Sequence, residues 1–208
     1  MTISTVLFDL GGVIVESPLE AFADYEREAG LPEGIMRRIN TTEPDTNAWA
    51  RFERGQLDAD GFIQAFEAEA RALGVSIDAR RVLASLSGAV RPAMVEAVRR
   101  LRAAGMRLGL LTNNVAPMPR DGELGGLLTL FDAVVESSVE GVRKPDPEFY
   151  ERALASVGNP PPADCVFLDD LGVNLKPARA LGMTTIKVAD PGEALRELAG
   201  VTRVELAV

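Results

Sequence analysis

The chain has 208 residues, 47% of them hydrophobic and 25% charged, with a net charge of −9. That is the make-up of a globular protein with one sizeable core, or a core with a small appended domain. The negative charge weighs against nucleic-acid and anionic-membrane partners, which clustered Lys and Arg would hold. The absence of histidine and the single cysteine, Cys165, exclude a Ser-His-Asp triad, a Cys-His pair, an internal disulfide and a zinc site on imidazole or clustered thiolates. Carboxylates, hydroxyls, lysine and a hard metal remain for chemistry.

No apolar run reaches the roughly 18 to 20 residues of a bilayer span, and no basic stretch precedes a hydrophobic one at the N-terminus. The sequence therefore reads as cytoplasmic. The first expected strand, Thr5–Phe8, runs into Asp9, and Gly11 and Gly12 then allow a sharp turn. From about Leu19 to Gly88 there is no convincing strand. Helix-period stretches occur instead at Leu19–Ala29, Thr46–Arg54, Ala59–Leu73 and Asp78–Leu86, separated by turn residues such as Gly30, Gly34 and Gly74.

Beyond Gly88, strands are expected at Arg107–Leu111, Ala133–Val135, Cys165–Leu168 and Thr184–Val188. Helices at Pro92–Ala104, Pro147–Val157 and Leu175–Leu181 alternate with them. This alternation implies an α/β fold, a Rossmann-like, doubly wound parallel sheet with helices on both faces. The expected division is a core of residues 1–18 and 89–208 and a small all-helical cap domain, 19–88, inserted after the first strand. Cys165, inside an apolar strand, reads as packing. Gly122-Glu-Leu-Gly-Gly126 follows no strand and carries no nucleotide-binding meaning.

In such sheets ligands bind beyond the carboxyl ends of the strands, and the polar residues of interest sit there. Asp9 follows the first strand, Thr112 the second, and Asp169 and Asp170 the fourth. Three acids brought together repel one another unless a cation lies between them, and Mg²⁺ suits hard oxygen ligands. A lone strand-end aspartate is more often a loop acid or helix cap; the ordered set is what points to a site. Lys144 alone would read as a surface charge, but Pro145 biases it away from helix, so it can pair with Asp9 and neutralise a phosphate oxygen. Thr112 can cap the next helix or bind the same phosphate, with Asn113, and less so Asn114, adding contacts.

Asp9, Thr112, Lys144 and Asp169-Asp170, in this order, resemble the four motifs of the haloacid dehalogenase superfamily. Val166-Phe-Leu-Asp-Asp-Leu-Gly-Val-Asn-Leu-Lys-Pro-Ala-Arg179, continuing through Leu181-Gly-Met-Thr-Thr-Ile186, resembles the N-terminal phosphatase domain of soluble epoxide hydrolases. The Asp9-Leu-Gly-Gly-Val variant of the first motif is similar to phosphatase-like domains fused to acyl-CoA dehydrogenases. The resemblance covers nearly the whole chain, most strongly after Val90. It implies that Asp9 attacks phosphorus to give a phosphoaspartyl enzyme that water hydrolyses. It implies Mg²⁺ held by the Asp9 side chain, the backbone carbonyl of Gly11 and Asp170, with Asp169 close behind. Thr112 and Lys144, with Asn113 and Gly12, would hold the phosphate, and Asn174 would steady the acidic loop.

One position departs from that pattern, since the second aspartate of the first motif is Gly11. Its carbonyl survives for metal binding, but the usual general acid is lost, an assistance worth about 10² to 10⁴ in rate. A small acyl or aryl phosphate would suffer least. The sequence thus supports a Mg²⁺-dependent phosphatase of a small phosphorylated substrate. Two alternatives stand beside it, a non-catalytic domain that binds a phospho-ligand or partner and a 2-haloacid dehalogenase. Leu19, Phe22, Trp49, Phe52 and Phe62 are candidates for the pocket lining, although aromatics at helical spacing are more often core.

Overall fold

A computed structural model describes residues 2–86 and 88–206; Met1, Ser87, Ala207 and Val208, which fall within the expected domain bounds, lie outside the described residues, as does the side chain of Glu123. Five strands form one sheet: β1 (Thr5–Phe8), β2 (Arg107–Thr112), β3 (Ala133–Glu136), β4 (Cys165–Asp169) and β5 (Thr184–Lys187). Their order is β3-β2-β1-β4-β5 and every pairing is parallel. This is the order of a Rossmann-type sheet, reversing at β1 and opening a crevice beyond the carboxyl ends of β1 and its neighbours.

The central strands β1 and β4 are short and buried on both faces, so they read as apolar runs rather than alternations. Alternation survives in where the side chains go. Val6 and Phe8 of β1 enter one core with Leu108, Leu110, Val166 and Leu168, while Leu7 enters the other with Leu111 and Phe167. The first core is closed by helices that supply Met94, Val98, Leu127, Leu195 and Leu198, the second by those that supply Phe149, Tyr150, Leu175 and Ala178. These are α6 (Pro92–Ala103), α7 (Gly122–Leu128) and α11 (Pro191–Thr202) on one side, and α9 (Pro147–Ser156) and α10 (Gly172–Ala180) on the other, with the short α8 (Ser137–Glu140) after β3.

Between β1 and α6 the chain is helical: α1 (Pro18–Glu28), α2 (Ile35–Thr41), α3 (Ala48–Glu53), α4 (Ala59–Ala72) and α5 (Ala79–Ala84). These helices enclose a cluster of their own, including Phe22, Met36, Ile39, Phe52, Phe62, Phe66 and Val82. The chain leaves and rejoins the core side by side. Val15 and Val90 form an antiparallel bridge, and the Glu16 N–H donates to the Ala89 carbonyl at 3.0 Å.

Five helices depart from the periodic segments read above, the short α7 and α8 among them. α2 was not expected because its cap is supplied from another helix: buried Glu26 of α1 accepts from Gly34 N and Met36 N, each at 2.8 Å. α10 begins at Gly172, three residues before the expected start, and runs through Pro177. α11 carries its own start signals, with Asp190 accepting from Glu193 N at 2.8 Å and Pro191 in the first turn. No described helix is long and apolar enough to cross a membrane.

Candidate active site

The parallel register aligns β1 with β4, Phe8 beside Leu168, so Asp9 and Asp169 leave the sheet as neighbours. The Asp9 N–H donates to the Leu168 carbonyl at 2.9 Å, which fixes the backbone from which the Asp9 carboxylate projects. Carboxylate oxygens of Asp9, Asp169 and Asp170 come within 4.8 Å of one another. Lys144 reaches them from the loop after α8. Its Nζ lies 2.8 Å from Asp9 Oδ2 and 2.8 Å from Asp169 Oδ2, and it also donates to the Leu111 carbonyl at 3.0 Å. The side chain is fully buried.

Burial alone would lower the Lys144 pKa, but Asp169 and Asp9 outweigh it and hold the ammonium above its ordinary value. Burial pushes Asp9 well above the usual carboxylate range, opposed by Lys144 and reinforced by Asp169 and Asp170. Asp170 is likewise raised, by burial and then by Asp169. Three carboxylates thus gather around one ammonium, a set of oxygens able to hold a cation.

The two acids after β4 differ in their commitments. Asp169 is wholly buried and accepts from Lys144 Nζ, from Asn174 Nδ2 with both oxygens (3.0 and 3.1 Å) and from Leu171 N (2.8 Å). Asp170 has one side-chain donor among the described residues, Ser17 Oγ at 3.3 Å. Asn174 thus braces the acidic loop, and the α10 turn that carries it is tied down by Tyr150, whose hydroxyl donates to the Asn174 carbonyl at 2.5 Å.

The glycines divide in the same way. Gly12 has φ +73°, and a Cβ there would stand 2.2 Å from Asp170 Oδ2, so the acid packs where a side chain would be. At Gly11 the nearest atom to an added Cβ is Pro18 Cδ at 3.7 Å, an ordinary contact. A side chain's Cβ at Gly11 is therefore not excluded by crowding. Arg91 secures this loop by donating to the Gly12 carbonyl at 2.5 Å and the Val13 carbonyl at 3.3 Å.

Thr112 is buried at the end of β2, beside the site. Asn113 forms a reciprocal pair with the Lys144 backbone: Lys144 N donates to Asn113 Oδ1 at 2.9 Å and Asn113 Nδ2 donates to Lys144 O at 3.0 Å. Asn114 turns away, donating to Glu136 Oε2 and the Ala116 carbonyl, each at 2.7 Å, and accepting from Ser138. Of the pocket candidates, Phe22, Phe52 and Phe62 are buried in the core of the helical lobe, and Trp49 packs edge-on against Phe22 and Phe62. Only Leu19, 49% exposed, is left free of that packing.

Sequence reasoning passed over four residues. Ser17 and Arg91 sit at the two crossings between core and lobe, and Arg143 directly precedes Lys144. Glu53 is a buried carboxylate of α3, with Trp49 Nε1 donating to its Oε1 at 3.0 Å and Arg143 Nε 2.6 Å from its Oε2. Burial raises the Glu53 pKa against the opposing pull of Arg143 and Trp49. The four-residue spacing of Trp49 and Glu53 was the one local signal that the pair shares a helix face.

A Rossmann-type sheet with a strand-end aspartate, a buried lysine and a paired acid beyond β4 defines a hydrolase core of the dehalogenase and phosphatase type. The haloacid dehalogenase-like hydrolase family matches residues 3–182, and the chain belongs to it. It is 31% identical over 211 residues to phosphatase MT3486 of Mycobacterium tuberculosis, covering 93% of this chain and 90% of that one. It is 34% identical over 198 residues to acyl-CoA dehydrogenase family member 10 of Mus musculus, covering 93% of this chain but spanning 18% of that relative's length. Similar solved structures include the HAD family enzyme bt-2542 of Bacteroides thetaiotaomicron in complex with magnesium and inorganic phosphate, with a TM-score of 0.63, 20% identity and coverage of 89% and 93%. L-2-haloacid dehalogenase of Xanthobacter autotrophicus gives a TM-score of 0.62, 24% identity and coverage of 96% and 83%.

Proposed function

We propose that the protein is a Mg²⁺-dependent phosphatase of a small phosphorylated metabolite, with the helical lobe as a cap over the site. The observation that carries this reading is the meeting of three carboxylates within 4.8 Å, with Lys144 bridging two of them. Attack on carbon needs one carboxylate; three that close call for a cation. All the donors are hard oxygens, the kind Mg²⁺ takes. Asp9, Asp170 and the Gly11 carbonyl are the proposed ligands. Asp169, whose oxygens are already engaged by Lys144, Asn174 and Leu171 N, serves better as the anchor of the lysine. A Mg²⁺ ion bound there would neutralise the acids and draw charge from the phosphoryl oxygens.

Asp9 attacks phosphorus in line as the P–O bond to the leaving group breaks, and water then cleaves the phosphoaspartyl enzyme. Lys144, kept charged by Asp9 and Asp169, and Thr112 hold phosphoryl oxygens. With glycine at position 11, no side chain there donates a proton to the leaving oxygen. Acyl and aryl phosphates, whose leaving groups depart as stable anions, are the favoured substrate class. The similarity to phosphatase MT3486 along most of both chains supports the reading.

The test is release of inorganic phosphate from para-nitrophenyl phosphate, acetyl phosphate and a sugar-phosphate panel, with Mg²⁺ or EDTA, beside Asp9→Asn. Turnover that needs Mg²⁺ and vanishes in the variant is expected. Equal rates in parent and variant would sink the mechanism. Dehalogenation is the second reading, favoured only by the side-chain loss at Gly11, and halide release from 2-haloacids in EDTA would establish it instead.

A further inference from the structure

Lys144 can bridge Asp9 and Asp169 only while its backbone is held, and the holding residues are themselves held by the helical lobe. Asn113 forms the reciprocal amide pair with the Lys144 backbone. The same Nδ2 also donates to Glu53 Oε2 of α3, at 3.3 Å. Arg143, one residue before the lysine, meets the lobe twice: its Nε lies 2.6 Å from Glu53 Oε2, and its Nη1 donates to the Pro44 carbonyl at 3.0 Å. Trp49 fixes Glu53 from behind. Two residues on, Gly55 seats the lobe's backbone against α8. A Cβ at Gly55 would be 2.5 Å from the Ser138 carbonyl oxygen, and its φ is +66°.

A carboxylate with 11% of its side chain exposed is an expensive way to join two surfaces unless its direction matters. Apolar packing would hold the lobe as firmly but would not select a position for Asn113 and Arg143. We infer that Glu53 is a positioning residue through which seating of the lobe sets Lys144, so that the charged site is complete only when the lobe is down. This rests on the phosphatase reading for its catalytic consequence, although the coupling itself is a matter of geometry. The chemical sense is that a phosphoryl group meets a finished site only under the lobe, where bulk water is excluded.

The chain provides its own reporters, three lysines (Lys144, Lys176 and Lys187) and a single tryptophan, Trp49. Protein labelled with ¹⁵N-lysine gives three backbone amide signals. In Glu53→Gln the Lys144 signal is expected to move while those of Lys176 and Lys187 stay. With para-nitrophenyl phosphate, kcat should fall by about 10-fold to 100-fold, with KM changed far less. Arg143→Gln breaks the same contact from the core side and gives the same pattern, which keeps the test intact if one variant fails to fold. If Trp49 emission reports the altered lobe contact while the Lys144 amide and kcat stay at parental values, Glu53 merely holds the lobe together and the inference is overturned. A parent that hydrolyses no phosphate ester would defeat the phosphatase reading alone, since the amide shift still decides the coupling.

Discussion

The strand-end site and the interior of the helical lobe are both buried, and they are held in opposite ways. In the lobe, Phe52, Phe62 and Phe66 stack at 4.5 and 5.1 Å between ring centres, with Trp49 edge-on to Phe62 at 5.2 Å. Such contacts are summed dispersion and area, tolerant of exchange if volume is kept. At the site, two of three clustered acids share one ammonium, and each distance has a chemical meaning. The comparison teaches that stability and chemistry are concentrated in different regions, which meet where Glu53 of the lobe touches Asn113 and Arg143.

The sharpest break is Asp9→Asn. Loss of the proposed nucleophile should lower phosphate release by about 10⁴-fold or more while thermal unfolding stays near that of the parent; a variant that unfolds instead would show that the site also carries stability. Next is Phe62→Ala, at a fully buried ring touching three aromatics. It should cost about 3 to 5 kcal/mol in denaturant unfolding of the lobe, and the residual folded fraction should keep the parental substrate ranking. Phe62→Leu should cost much less.

Metal addition probes the site from the other side. Saturation with Mg²⁺ at about 100 times Kd should add about 2.7 kcal/mol of stability, read as a rise in Tm. Burial and mutual repulsion raise Asp9 and Asp170, so in the metal-free protein protons compete for their oxygens. The gain should therefore grow as pH rises through and beyond the ordinary carboxylate range, and shrink below it. A Tm indifferent to Mg²⁺ at every pH would remove the metal from the account. Phe62→Ala, in the lobe and outside the strand-end acid cluster, should leave the affinity for Mg²⁺ unchanged.

The finest probe is Gly11→Asp. The backbone at Gly11 is outside the left-handed region and an added Cβ meets only Pro18, so the restored acid should fit. Turnover of alkyl phosphates should rise, by up to about 100-fold, with acyl phosphates gaining little. An equal gain for both classes would show that leaving-group protonation is not what Gly11 lacks.

The same contrast explains what could be read from the chain. The core was legible because a parallel strand delivers its last residue to the sheet's carboxyl edge, so Asp9, Thr112, Asp169 and Asp170 are placed by strand position alone. Lys144 was legible as a residue type but not as the bridge between two acids, which depends on the β1–β4 register. The different burdens of Asp169 and Asp170 turn on where Lys144, Asn174 and Ser17 come to lie, and adjacent letters do not record it. Glu53 could not be found as a site residue at all. It lies at the end of an ordinary amphipathic helix, and only the docking of that helix on Arg143 and Asn113 gives it meaning. Likewise α2 takes its N-terminal partner from Glu26, eight residues before Gly34 across a turn, where local capping rules do not look.

The paired crossings at Val15 and Val90 have a consequence for how the molecule can be taken apart. With Glu16 and Ala89 joined by a hydrogen bond of 3.0 Å, the two ends of the lobe are already at the separation that a tight turn spans. A short turn in place of the lobe should therefore leave the five-stranded sheet's connectivity undisturbed. A foreign helical segment whose ends lie equally close could be joined there, provided that it supplied an acceptor for Arg143 and Asn113 in place of Glu53.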